Sequence, residues 1–417
     1  MITRSEGVVV VALVVALAAC NSTAGEGESS PTIGSTVTPP ASITTVAAAS
    51  TTTLAPPSAT TSTISAAPFP VVTFAAISED PVSEELAARF QTALDDFAEG
   101  WGMTATVMTA EGTWSGTAGK ADGIRDLRVD DQFSIASITK SVVAAQVMLM
   151  VEAGELDLDD FAADHLPRDL EFDTNGTTIR HLLSHRSGLP DYYDLLNESQ
   201  ETDFQRVWKP SEILELLPTG RTPPGGAFGY AETNYLLLGL VIEHLRGRPL
   251  ADVLRDGALA INGLERLVHQ PDESPTEPMA MPGGESTKVL ELRGGYLPSL
   301  AAVTAFTGSG AFASDSPSLA RWWRAFCAGE IVSQASLTEM AAFDPDDGYG
   351  LGLYNPAHDY AWAVGHTGEL FGYMSWAACL PEDETVIVVL TNRLLDDGQF
   401  AFSHGMARPL LEVLRSD

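Results

Sequence analysis

Hydrophobic and polar positions change period several times along the chain, and each change marks an element. Residues 78–100 (SEDPVSEELAARFQTALDDFAEG) carry capping residues, apolar positions at helical spacing and a closing Gly100, which predicts a helix. Residues 104–121 alternate on either side of Glu111-Gly112, as a β-hairpin does. Residues 133–156 (FSIASITKSVVAAQVMLMVEAGEL) read as an apolar helix that begins with two polar side chains, Ser137 and Lys140. From about 150 to 315 the pattern is mostly helix and loop, broken by stretches such as RTPPGGAFGY. Strand patterns return at 349 with YGLGLYN, YAWAVGHTG, GYMSWAACL and ETVIVVLTN, and an amphipathic helix is expected over roughly 397–415. Hairpin in front, strands behind and helices between imply an α/β fold. One antiparallel sheet is built from both chain ends, flanked by helices, with a helical insertion.

The first 78 residues follow other rules. Arg4 precedes an unbroken apolar run at 8–19 that is too short to span a bilayer, which takes about 20 residues, but suits an export signal. Leu17-Ala18-Ala19-Cys20 reads as a lipoprotein cleavage site, with Cys20 as the acylated residue; Ala16-Leu17-Ala18 offers ordinary secretion as the rival. Residues 1–20 are therefore expected to be a signal peptide and 21–78 an extended tether, since Ser, Thr, Ala and Pro dominate there and little can be buried. The folded domain is expected over 79–417, in an extracytoplasmic protein held to a membrane by lipid. Net charge is −33 over 417 residues, which argues against nucleic acid as a partner because phosphate binding needs clustered Lys and Arg. Cys327 and Cys379 could form a disulfide outside the cell or stay as buried thiols, and sequence leaves both open.

Ser137 and Lys140 stand three apart and so share one face of a helix. A serine hydroxyl needs an adjacent base to become a nucleophile, and a lysine serves only where burial or nearby charge lowers its pKa. The spacing alone also fits a capped helix with a solvated lysine. Two later segments change the balance. PPGGAFGYAETNYLLLGLVIE (223–243) puts Tyr230 on a Gly- and Pro-rich loop before an apolar helix. GHTGELFGYMS (365–375) puts His366, Thr367 and Gly368 on a strand that glycines leave open to close approach.

In this order, Ser137-Ile138-Thr139-Lys140, Tyr230-Ala231-Glu232 and His366-Thr367-Gly368 resemble the serine penicillin-recognising enzymes. The resemblance is to the branch of class C β-lactamases, D-alanyl-D-alanine carboxypeptidases, D-aminopeptidases and related esterases. Flanking text, TIRHLLSHRSGLPDYY (178–193), NYLLLG and YGLGLY, carries it over about 79–417. It implies a hydrolase that needs no cofactor. Ser137 is acylated by an amide or ester, Lys140 and Tyr230 share proton transfer, and the backbone N–H groups of Ser137 and Glu369 form the oxyanion hole. His366 and Thr367 would line the substrate edge. Expected partners are a small molecule or a peptide, peptidoglycan-derived compounds among them.

Glu232 stands where the family carries an amide. An ionised carboxylate there would hold Lys140 protonated, so Tyr230, as phenolate, is expected to be the working base. With Glu369 beside the strand, the site is poor in positive charge, which weakens the case for substrates with a C-terminal carboxylate. The alternative is a catalytically impaired member that binds wall peptide or a protein partner. His181 and His185 have zinc-compatible i, i+4 spacing, but Leu182 occupies the place of a zinc protease's glutamate, so no metal is expected. No G-x-S-x-G occurs.

Overall fold

The computed structural model describes residues 68–98, 100–200, 203–284, 292–393 and 404–416. The expected signal peptide, Cys20 and the expected tether up to residue 67 lie outside them. The first described helix, α1 (Val71–Ala75), corrects the expected boundary at 79. Phe69, Phe74 and Ile77 are buried in the main core, so residues 68–78 belong to the folded domain. The helix expected over 78–100 begins later, as α2 (Glu84–Ala98). Residues 78–82 instead run along the hairpin, where Thr113 N donates to Asp80 O at 2.7 Å and Val82 N to Thr113 O at 3.2 Å.

The hairpin is β1 (Met103–Thr109) and β2 (Gly112–Ala118). Next come β3 (Phe133–Ser134), α3 (Thr139–Glu152), α4 (Ile179–Leu183) and α5 (Glu232–Arg246). The chain continues through β4 (Val268–His269), β5 (Phe312–Ser314) and α6 (Ser316–Cys327). It closes with β6 (Val364–Leu370), β7 (Tyr373–Leu380), β8 (Thr385–Thr391) and α7 (Arg408–Leu414). Strand order is β2-β1-β8-β7-β6, antiparallel throughout, so both chain ends build one sheet as expected. A small second sheet, β3-β5-β4, sits beside the start of α3.

Strand side chains alternate between faces, and both faces are covered. Met374, Trp376, Ile387 and Val389 meet Leu86, Phe90 and Leu94 of α2 and Leu410 and Leu411 of α7. Ala377, Cys379, Val386 and Val388 meet the helical side, where α3 lies buried nearly all round. A helix without an amphipathic face belongs in the middle of a core.

YGLGLYN is not a strand. Tyr349 and Tyr354 bridge across a turn, because Gly352 (φ 72°) brings its backbone so close to α3 that an added Cβ would lie 2.4 Å from Ala144 Cβ. Of the closing helix expected over 397–415, the segment up to 403 lies outside the described residues. Cys327 and Cys379 form a disulfide between the end of α6 and β7, which settles the open pairing. It closes a loop with a sequence separation of 52. Replacing both cysteines by alanine should lower stability by about 4 kcal/mol on the chain-entropy estimate, a loss readable from urea unfolding.

Candidate active site

Ser137 sits on a single 3-10 turn, Ala136–Ile138, between β3 and α3. Every other residue from Asp131 to Met148 is buried; Ser137 alone in that run keeps contact with solvent. Ala136 before it holds φ at 47°, the left-handed region that a non-glycine residue rarely adopts. The sheet closes on this turn from the other side. A Cβ on Gly368 of β6 would lie 2.3 Å from Ile135 O and 2.9 Å from Ser137 N. Gly368→Ala should therefore displace the strand or the serine. Acylation should fall by about 100-fold, the order expected when reacting groups shift by an ångström, in a protein that still folds; ester burst kinetics would measure it.

Lys140 is fully buried. Its Nζ lies 3.0 Å from Ser137 Oγ and donates to Glu232 Oε2 at 2.8 Å, Glu232 Oε1 at 3.1 Å and Ser309 O at 3.1 Å. Burial lowers the lysine pKa from its ordinary value, and Glu232, the next largest influence, pulls the other way. The net direction is down, because the desolvation cost of a charge in the core outweighs the carboxylate.

Tyr230 completes the group. It leaves 37% of its surface open, while its hydroxyl lies close enough to Ser137 to feel that side chain. Lys140 Nζ lies 4.9 Å from the centre of its ring. Burial, and then the charge of Glu232, push the tyrosine pKa well above its ordinary value. That opposes the phenolate expected from sequence; at neutral pH Tyr230 is a phenol.

His366 is buried on β6. Its Nδ1 faces Thr367 O at 2.5 Å, and a carbonyl can only accept, so the proton is on Nδ1. Nε2 then accepts from Tyr349 OH at 3.0 Å. Burial, with the charge of Lys140 second, lowers the His366 pKa to about 3, so the ring is neutral. Thr367 Oγ1 is 2.5 Å from Tyr354 OH, and Glu369 is exposed on the same strand.

Asp191 belongs to none of the three motifs yet lies in the site. Its carboxylate accepts from Glu232 N at 2.9 Å and Tyr193 N at 3.3 Å, which ties the start of α5 to the site. Burial, then repulsion from Glu232, raises its pKa to about 6. Its signal was present in the segment LPDYY but had no motif to attach to. Tyr193, two residues on, feels four carboxylates: Glu369, Glu232, Asp194 and Asp191. The zinc-like pair does other work. His181 Nδ1 accepts from Thr178 N at 3.3 Å in a helix cap, and His185 turns toward Tyr230.

A serine on a tight turn, a buried lysine on its own helix and a tyrosine from a facing loop define a serine–lysine acyl-transfer site. The beta-lactamase family model matches residues 90–404, and the chain belongs to that family. A penicillin-binding protein of Bacillus subtilis (strain 168) is 26% identical over 341 residues, covering 73% of this chain and 71% of that protein. Esterase EstB of Burkholderia gladioli is 35% identical over 141 residues, 30% of this chain and 36% of the esterase. Among solved structures, the D-amino acid amidase from Ochrobactrum anthropi SV3 in complex with D-phenylalanine superimposes with a TM-score of 0.67. It is 26% identical, over 80% of this chain and 100% of that one.

Proposed function

We propose that this protein is an exported serine hydrolase that forms an acyl-enzyme on Ser137 with amides or esters lacking a carboxylate beside the scissile bond. The buried Lys140 Nζ, 3.0 Å from Ser137 Oγ, carries the reading. A neutral amine there is fully partnered: two N–H groups serve Glu232 and Ser309 O, and the lone pair faces the serine hydroxyl. Ser137 Oγ attacks the substrate carbonyl as its proton passes to Lys140. The backbone N–H groups of Ser137 and Glu369 receive the oxyanion. Tyr230 gives its phenolic proton to the departing nitrogen or oxygen and is reprotonated from Lys140. Water then attacks the ester carbonyl with the proton transfers reversed, and Ser137 is restored.

Glu232→Gln tests the base. Catalysis by neutral Lys140 rises with pH through the lysine pKa, and Glu232 raises that pKa. Removing its charge should move the rising limb of kcat/KM to lower pH. An unmoved limb in stopped-flow acylation would mean that Lys140 is not the base.

The carboxylates around Tyr193 support neutral or amine-bearing substrates over penicillins and D-Ala-D-Ala peptides. The relative's description as a D-amino acid amidase points the same way, since the amide of an amino acid carries an amine and no free carboxylate. Assay of a nitrophenyl ester, D-phenylalanine amide and a fluorescent penicillin decides among them: turnover of the first two is expected, while stable penicillin labelling would favour a peptidase. The grip of Glu232 on Lys140 favours one other reading, a binder of wall peptide, for which neither turnover nor labelling would occur. The core disulfide supports an oxidising compartment. Export through residues 1–20 and lipidation of Cys20 fit that location, and Cys20→Ala should then release the protein from membranes.

A further inference from the structure

We infer that His185 is the positioning residue for Tyr230, and that it acts as a neutral imidazole protonated on Nε2. The inference rests on the role given to Tyr230 above. Tyr230 ends a loop that has no helix or strand of its own and lies against the turn at 185–188. Thr222 N donates to Gly188 O at 3.0 Å, Gly225 N to Arg186 O at 2.8 Å and Gly229 N to His185 O at 2.8 Å.

His185 then grips both sides of the tyrosine. Its Nδ1 accepts from Ala231 N at 3.2 Å and from Asn234 Nδ2 at 2.9 Å, while its ring stacks on the Tyr230 ring with centroids 4.1 Å apart. One residue thus fixes the backbone at 229 and 231, the helix at 234 and the ring at 230. The tautomer follows from donor chemistry. A backbone N–H can only donate, so Nδ1 must be bare and the proton must be on Nε2. Asn234 is oriented to match, because its Oδ1 accepts from Ser187 Oγ at 2.5 Å. His185 is fully buried and holds φ at 56°, a conformation histidine and asparagine tolerate better than most residues. Lys140, His366, Tyr230, Tyr235 and Tyr349 surround the ring. Burial first, and Lys140 next, hold its pKa well below the ordinary histidine value, so it stays neutral.

Two variants separate the grip from the stacking. His185→Asn retains an acceptor at the δ position and the tolerance for positive φ but removes the ring. His185→Phe retains a ring and removes the acceptor, leaving Ala231 N and Asn234 Nδ2 without their partner. Active sites are counted by the burst of a nitrophenyl ester, so partial unfolding does not enter kcat. His185→Phe should lose about 30-fold in kcat per titrated serine, the scale of a misplaced catalytic group, with KM within about threefold, and His185→Asn should recover most of the loss. Wild-type kcat per site in His185→Phe would overturn the inference and leave Tyr230's role standing. Ester turnover that survives Ser137→Ala would overturn the serine-hydrolase reading and this one with it. Should His185→Phe not fold, histidine ring nitrogen shifts of the wild-type protein decide. Bare Nδ1 from pH 5 to 8 is expected, and a proton on Nδ1 in that range would refute it.

Discussion

Lys140→Met should abolish acyl transfer, by about 10⁴-fold for loss of a positioned base, and should also destabilise the fold. The two effects have different origins. Lys140 is fully buried and Glu232 nearly so, so removing the lysine leaves the carboxylate without its partner in the core. Breaking a buried ion pair from one side costs about 3–5 kcal/mol, whereas replacing both partners is often close to neutral. Lys140→Met combined with Glu232→Gln should therefore return most of the stability in urea unfolding while activity stays lost. Recovery of activity in the double variant would show that the lysine serves the structure and not the chemistry.

Ser137→Ala carries the other large effect. Removing the nucleophile should lower kcat by about 10⁶-fold, the scale seen when one member of a concerted catalytic set is deleted. Stability should change by less than about 1 kcal/mol, because Ser137 is not fully buried and the Lys140–Glu232 pair survives. The variant should still bind substrate, which equilibrium titration would show as an unchanged dissociation constant within a few-fold. Turnover at the wild-type rate would place the nucleophile elsewhere.

Much of this was legible in sequence because period-2 and helical patterns record burial directly. ETVIVVLTN and GYMSWAACL became β8 and β7, and the three motifs named the residues that meet at Ser137. YGLGLYN misled because alternating glycines imitate a strand while Gly352 makes a turn against α3. Composition alone places residues 68–78 in the tether, although three apolar side chains suffice to dock them. Asp191 and His185 were missed as site residues for another reason. Their partners, Glu232 and Ala231, lie 41 and 46 positions away, and no local pattern records such a meeting. The choice between Lys140 and Tyr230 as base was equally hidden. It depends on how desolvation balances against Glu232, and burial acts oppositely on the two groups, lowering the lysine and raising the tyrosine.

The most direct measurement is mass spectrometry of protein quenched in acid during turnover of an activated ester. A mass increase equal to the acyl group, confined to the peptide that contains Ser137, decaying with the rate of product release and absent in Ser137→Ala, is the predicted result. Turnover with no adduct on that peptide, or an adduct on another side chain, would contradict it.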